Sequence, residues 1–502
     1  MTDYRPLAPY ALLTILALAV ALLGTVPAAR RSGALGWITA IGAGLALFIS
    51  SQSPEATPWL GMLRLDAFSK ACNVIFLAAL AIISIASTAE EHRTAFAGEF
   101  YALLTLSTVG LMLMGASGGL LTMYLGLELS TIALFALAGF SKREKRSAEA
   151  ALKLLILGSV ASAVVLYGAS IVYGVLGTTQ FFEMSAAMSH PHAAGASAAL
   201  YFGITFIVAG LAFKVAAVPF HLWAPDVYEG APSLVTAFLS TASKAGGFAA
   251  LLRFLGSVQV PEDRTISTLL IVLSAISMIV GNLSALSQKN FKRMLGYSGV
   301  AQSGYILTAL AAGSATSKTI SSALMYLLLY AFTNVAAFLV AQAIHDATGS
   351  DQISALRGLH RRRPTLAFCA VVVMFSLGGI PPLAGFVGKL YLFTAAWDGG
   401  QRCLVLIGAL TSVAALYYYL MVVRQIYLLD PEDDRKITVA PAIVMAISLC
   451  TAAILAIGIY PRPFVTMGEA AASAVQVTSV AHQREAAPVV AASDVSSPHL
   501  RP

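Results

Sequence analysis

The chain has 502 residues, of which 58% are hydrophobic and only 11% charged, with a formal net charge of +7. Soluble globular proteins carry roughly 25% charged residues, so this balance excludes most soluble folds, a disordered scaffold and a nucleic-acid binder. In so apolar a chain, with a mean hydropathy of +0.80, a basic excess reports orientation in a membrane.

A helix needs about 20 apolar residues to cross the hydrocarbon core. Fourteen runs of that kind lie near residues 7–27, 33–50, 66–87, 96–114, 118–140, 147–177, 198–222, 232–255, 266–286, 294–313, 319–345, 364–397, 402–428 and 439–460. The expected fold is therefore an all-α polytopic membrane protein of about fourteen transmembrane helices, with 198–255 and 364–397 the least regular regions. The first run is too long for a cleaved signal peptide and feeds directly into the next. A polar, alanine-, valine- and serine-rich tail over 465–502 reads as disordered or locally helical, and Glu432-Asp433-Asp434 as a solvated loop. Cys72, Cys369, Cys403 and Cys450 stand singly, so no disulfide framework, iron–sulfur cluster or metal site is expected.

Charge placement gives the orientation. Numbered alternately, the connections on one side collect 17 lysines and arginines, among them Arg30, Arg93, Lys142, Arg143, Lys292 and Arg361. The other side, with both termini, collects ten, among them Arg5, Arg64, Arg253 and Arg462. The more basic side is expected to be cytoplasmic and both termini non-cytoplasmic.

Four cations remain, all lysines and all inside spans: Lys153, Lys214, Lys244 and Lys389, joined by Glu128. An ionised group at mid-membrane costs at least about 2.5–3.5 kcal/mol and marks a functional candidate. Lysine in apolar surroundings can give up its proton, whereas arginine cannot, so four lysines and no arginine point to proton handling. Plainer readings stand beside this one. Lys153 follows Glu149 by one helical turn and suits a surface ion pair, Lys389 suits a helix end, and His221 suits a loop-end histidine.

Interrupted helices accompany these lysines. Pro219 follows Lys214, Gly246-Gly247 follows Lys244 as a weak point, and Gly378-Gly379-Ile380-Pro381-Pro382 precedes Lys389. Irregular backbone at membrane depth is tolerated only inside protein or along a wet cavity. The broken spans are the seventh and twelfth. Because five is odd, two repeats so related have opposite membrane orientation.

The stretches Phe213-Lys214-Val215-Ala216-Ala217-Val218-Pro219-Phe220-His221-Leu222-Trp223-Ala224-Pro225-Asp226-Val227-Tyr228-Glu229-Gly230-Ala231-Pro232, Gln288-Lys289-Asn290-Phe291-Lys292-Arg293-Met294, and Gly379-Ile380-Pro381-Pro382-Leu383-Ala384-Gly385-Phe386-Val387-Gly388-Lys389 resemble antiporter-like subunit N of respiratory complex I. The resemblance covers most of residues 60–430, and the Asp-Val-Tyr-Glu-Gly-Ala-Pro form at 226–232 is similar to subunit N rather than to its paralogues. It implies three helices over 1–95, a first repeat over 96–255, a second, inverted repeat over 256–430, and a last helix over 431–464. It further implies a Glu128–Lys214 pair, Lys244 as the central connecting lysine, Lys389 as the exit-side lysine, and Lys153 and His221 in secondary roles. Where relatives commonly have Ser-Ile-Ala-His, this chain has Gly299-Val300-Ala301-Gln302. Glutamine cannot titrate, so Gln302 is left with ordering water.

The implied activity is proton translocation across a bacterial inner membrane, as a subunit of a translocating NADH:quinone oxidoreductase. This chain would hold no cofactor. Flavin, iron–sulfur clusters and quinone would reside in partners, among them neighbouring antiporter-like and small helical membrane subunits. The competing readings are a subunit of a multisubunit sodium/proton antiporter and a structural spacer with idle lysines.

Overall fold

Backbone amides and carbonyls find no partner in hydrocarbon, so an apolar chain crosses it as helix. A computed structural model of the protein describes residues 4–28, 33–59, 61–91, 96–188, 197–258, 264–312, 316–431 and 435–485. Helices α1 (Ala8–Leu23) and α2 (Ala34–Gln52) lead to a short antiparallel hairpin of β1 (Ala56–Trp59) and β2 (Leu63–Leu65). Then come α3 (Ala67–Ser87), α4 (Ala97–Gly115), α5 (Leu120–Ala138), the long α6 (Lys145–Leu176) and the short α7 (Phe181–Met188).

The broken region follows as α8 (Ser197–Lys214), α9 (Trp223–Gly230), α10 (Ser233–Phe238) and α11 (Lys244–Val258), with a single π-helical turn over Leu239–Ser243. The second half holds α12 (Arg264–Leu286), α13 (Phe291–Leu310), α14 (Ser317–Thr348), the single turn α15 (Leu359–Arg362), α16 (Pro364–Gly378), α17 (Ala384–Asp398) and α18 (Arg402–Tyr427). It closes with α19 (Pro441–Ile459) and α20 (Arg462–Glu485).

Among the described residues, eleven helical stretches are long and apolar enough to cross a bilayer, with α10 and α11 counted as one. The other three of the fourteen expected spans fall on α8, on α13, and on the pair α16–α17. The first and last are interrupted. In α13, Lys292, Arg293 and several serines and glycines dilute the apolar run.

Burial sorts the helices into core and rim. The stretch from α10 into α11 is wholly enclosed and α14 nearly so, whereas α6 and α18 keep most of their apolar surface outward, as a lipid-facing helix does. α14 packs against α3, α10, α13, α16, α17, α19 and α20, so elements of both halves lean on one helix.

Two expectations are corrected here. Residues 465–485, expected to be disordered or locally helical, lie in α20, a packed helix whose Ala471, Ala472 and Val475 are buried and which packs on α3 and α14. Residues 486–502 and Glu432-Asp433-Asp434 lie outside the described residues. Arg253, counted with the surface cations, is fully buried. Its guanidinium clasps Asp66 at 2.6 and 2.7 Å, donates to Gly115 O at 2.9 and 3.2 Å, and lies 4.5 Å over the Phe68 ring. Asp66 also accepts from Ser69 N at 3.0 Å, capping α3. One ion pair thus ties α3, α4 and α11 together.

Breaking a buried pair by removing one partner costs about 3–5 kcal/mol, because a charge is left uncompensated. Arg253→Met is therefore expected to lower the thermal unfolding midpoint of the purified protein far more than the double variant Asp66→Leu/Arg253→Met. Equal losses would contradict the pairing.

Candidate functional site

The first break begins where α8 stops at Lys214. Ala216 adopts a left-handed backbone (φ 57°), the Val218–Pro219 bond is cis, and helix resumes at Trp223. Backbone groups released here are taken up by side chains. Ser303 Oγ of α13 donates to Val215 O at 2.6 Å, Val218 N donates to Ser277 Oγ of α12 at 2.9 Å, and Trp223 Nε1 donates to Phe213 O at 3.0 Å. Two of these three partners belong to the second half of the chain.

The second break repeats the pattern. α16 ends at Gly378, Gly379 is left-handed (φ 82°), the Pro381–Pro382 bond is cis, and α17 starts at Ala384. The left-handed residue stands three positions ahead of the proline in both, Ala216 before Pro219 and Gly379 before Pro382. Lys389 Nζ donates to Leu377 O at 3.2 Å and Gly378 O at 3.3 Å, capping the open carbonyl end of α16 with a cation. Lys389 thus sits in the body of α17, not at a helix end. A Cβ on Gly385 would fall 1.8 Å from Ser376 O, so only glycine lets the two half-helices approach this closely.

The three deep lysines are all enclosed: Lys214 is 7%, Lys244 1% and Lys389 6% exposed. Lys214 Nζ donates to Thr131 Oγ1 of α5 at 2.8 Å. Glu128, one turn earlier on α5, is half-buried and accepts instead from Ser162 Oγ of α6. No ion pair joins Glu128 and Lys214 among the described residues; a threonine hydroxyl stands in that place. Gly246-Gly247, expected as a weak point, lies inside the unbroken α11. Its glycines serve close packing: a Cβ on Gly246 would sit 2.4 Å from Leu111, and one on Gly247 would sit 3.0 Å from Lys214 Cγ. The irregular backbone is the π-helical turn just before Lys244, a feature frequent at functional sites.

Lys244 Nζ donates to Gly299 O at 2.6 Å and lies 5.6 Å from the Tyr330 ring. Ser303 Oγ is 3.1 Å from that same carbonyl, so one hydroxyl lies between the first break and the partner of Lys244. Beyond it, Gln302 accepts from Tyr326 OH and donates to Tyr419 OH at 3.5 Å, while Tyr419 also bonds Ser298. Tyr418 OH donates to Asn282 Oδ1 at 3.1 Å, and Asn282 Nδ2 donates to Tyr305 OH at 3.0 Å. The Tyr305 ring lies 5.0 Å from Lys389 Nζ. Buried polar side chains therefore occupy the ground between Lys244 and Lys389, with Gln302 among them.

Lys153 and His221 stand apart. Lys153 is 40% exposed and pairs at 2.8 Å with both Glu149 and Asp226, so the surface-pair reading describes it. His221 is buried, and its Nδ1 has no hydrogen-bond partner among the described residues. The sequence reading missed what the motif acids do: Asp226 and Glu229 bind Arg293 Nη1 at 2.7 and 3.0 Å. Their spacing of three on α9 was the available signal, because it puts both carboxylates on one helix face.

The sequence profile of the NADH:quinone oxidoreductase/Mrp antiporter transmembrane family matches residues 117–415, which hold every one of these lysines. NADH-quinone oxidoreductase subunit N of Desulfitobacterium hafniense is 41% identical over 430 residues, 82% of this chain and 86% of the relative. The chain belongs to this family, in its subunit N branch. A chain of respiratory complex I from Thermus thermophilus superposes with a TM-score of 0.77 and 32% identity, covering 91% of this chain and 98% of that one. A chain of the Mrp complex from Dietzia sp. shares the fold at a TM-score of 0.82, with 21% identity and coverage of 96% and 99%.

Gly385→Ala is expected to cost about 1–3 kcal/mol, because the added carbon forces backbone to move. It should also pull Lys389 from its carbonyls. A thermal midpoint equal to wild type would contradict the close approach.

Proposed function

We propose that this chain is a membrane-arm subunit of an NADH:quinone oxidoreductase that moves protons across the membrane, driven by electron transfer in other subunits. The observation that carries the proposal is three enclosed lysines, each beside irregular backbone, with buried hydroxyl and amide side chains spaced between them. Residues 96–255 and 256–430 act as two inverted repeats, each contributing a half-channel. In the first, Lys214 holds a proton within reach of Thr131, and Glu128 supplies the anion that favours an ammonium on approach. Lys244 receives the proton in the middle and Lys389 releases it on the far side, with Lys153 and His221 in supporting roles. Gln302 orders water between them without titrating.

The more basic loops lie on the cytoplasmic side, and both termini lie opposite, in a bacterial inner membrane. Flavin, iron–sulfur clusters and quinone belong to partner subunits of the complex. Among those partners are neighbouring antiporter-like and small helical membrane chains. The Asp226–Glu229 form of the motif favours this over a sodium/proton antiporter.

In inverted vesicles, Lys214→Ala and Lys389→Ala are each expected to reduce proton uptake per electron. Thr131→Val removes an acceptor from an ammonium, a loss of about 1.5–3 kcal/mol, and is expected to slow uptake by roughly tenfold or more. Wild-type uptake in both alanine variants would overturn the proposal, and co-purification without NADH dehydrogenase activity would favour the antiporter.

A further inference from the structure

A cavity of about 510 Å³ opens between the end of α3, the start of α4 and the loop after α5, lined among others by Glu91, Tyr101, Lys142 and Arg143. It lies where the basic connections gather, with Lys142 and Arg143 in one of them and Lys145 and Arg146 directly after. Glu91 is only 2% exposed, although it stands in a connection outside the spans. Its Oε1 accepts from Gly36 N at 2.6 Å and from Tyr101 OH at 2.7 Å, and the backbone of Leu35 also bears on the carboxyl group. Gly36 is small for this purpose, since a Cβ there would meet Tyr101 OH at 2.6 Å. An ionised carboxylate is costly to bury, whereas a carboxylic acid carries no charge. Burial accordingly pushes the Glu91 carboxyl above the usual carboxylate range.

Buried hydroxyls run from this point into the membrane. Tyr101, whose OH also accepts from Ser87 Oγ at 3.0 Å, is followed along α4 by Thr105, Ser107 and Thr108, all enclosed. Ser107 Oγ meets Ser130 Oγ of α5 at 3.1 Å, and the next residue, Thr131, is the acceptor of Lys214. At about 1.5 Å per residue, Tyr101 to Thr108 spans roughly 10 Å of depth. Hydroxyls both donate and accept, so together with intervening water they can pass a proton in either direction.

We propose that Glu91 is the proton-loading group of the first half-channel, that the cavity beside it is the aqueous vestibule, and that the α4–α5 hydroxyls carry its proton towards Lys214. This rests on the proton-translocation reading and on that loop facing the cytoplasm. The step is a transfer only: hydronium in the vestibule protonates Glu91, whose O–H then breaks as the next oxygen takes the proton, which leaves the carboxylate to be reloaded. Among the described residues, the charged and titratable groups facing Glu91 are Glu90, Tyr101, Lys142, Arg143 and Glu144, with Asp346 reached through Gln342, which donates to Glu90 at 2.6 Å.

The test uses the assembled complex in inverted vesicles. Glu91→Gln keeps an acceptor for Gly36 and Tyr101 but holds no exchangeable acid proton. It is expected to slow proton uptake by roughly tenfold or more, with assembly intact, and to remove a protonated-carboxyl infrared band. Glu91→Asp is expected to restore part of both. Uptake at the wild-type rate in Glu91→Gln would overturn the role of Glu91, provided Lys214→Ala is defective in the same vesicles. If Lys214→Ala also pumps normally, the translocation reading itself fails. Labelling of Lys142→Cys in a Cys403→Ser background by an impermeant maleimide must occur from the outside of inverted vesicles. Labelling only in right-side-out vesicles would place the cavity on the wrong side and overturn the proposal.

Discussion

The organisation of this protein turns on what happens to backbone groups where a helix stops inside a membrane. Each unsatisfied amide or carbonyl there costs several kcal/mol, so α8 and α16 can stop only where other elements offer partners. At the first break those partners are Ser277 and Ser303 of the second half. At the second, a lysine ammonium from α17 covers the exposed carbonyls of α16. The groups that make the breaks affordable are thus the same groups, or next neighbours of the groups, assigned to proton movement. Stability and function share their hydrogen bonds.

The same constraint explains the distribution of charge. Cations at the surfaces orient the chain, while the deep lysines are held by carbonyls, a hydroxyl and aromatic faces instead of carboxylates. An ion pair at each site would fix each proton in place. Neutral dipoles hold an ammonium less firmly. The buried carboxylate–guanidinium clasp of Arg253 with Asp66 stands elsewhere and uses arginine, which does not release its proton.

Much of this was legible in the sequence, and for a physical reason. Lysine in an apolar run is costly, so Lys214, Lys244 and Lys389 announce themselves, and Pro219 and Pro381-Pro382 mark the breaks because proline cannot continue a helix. What was not legible depends on partners distant in the chain. Arg253 resembles a loop cation until Asp66, 187 residues away, is brought against it. Gly246-Gly247 has the same letters whether it weakens a helix or admits a neighbour, and only Leu111 and the Lys214 stem decide. The hydrogen-bond partners around Glu128 and Lys214 were not legible either: α5 presents Thr131 to the lysine, while Ser162 from α6 donates to the carboxylate. The packing of the helix over 465–485 was not legible, because its buried residues are few and small: Ala471, Ala472 and Val475.

Ser303 has a consequence of its own. A hydroxyl owns a single hydrogen, yet Val215 O and Gly299 O both lie within its reach. It serves the first break and the carbonyl shared with Lys244 with that one hydrogen, and the shorter contact, to Val215 O, takes the larger share. The first break and the carbonyl that holds Lys244 thereby draw on the same hydrogen, a coupling one atom wide.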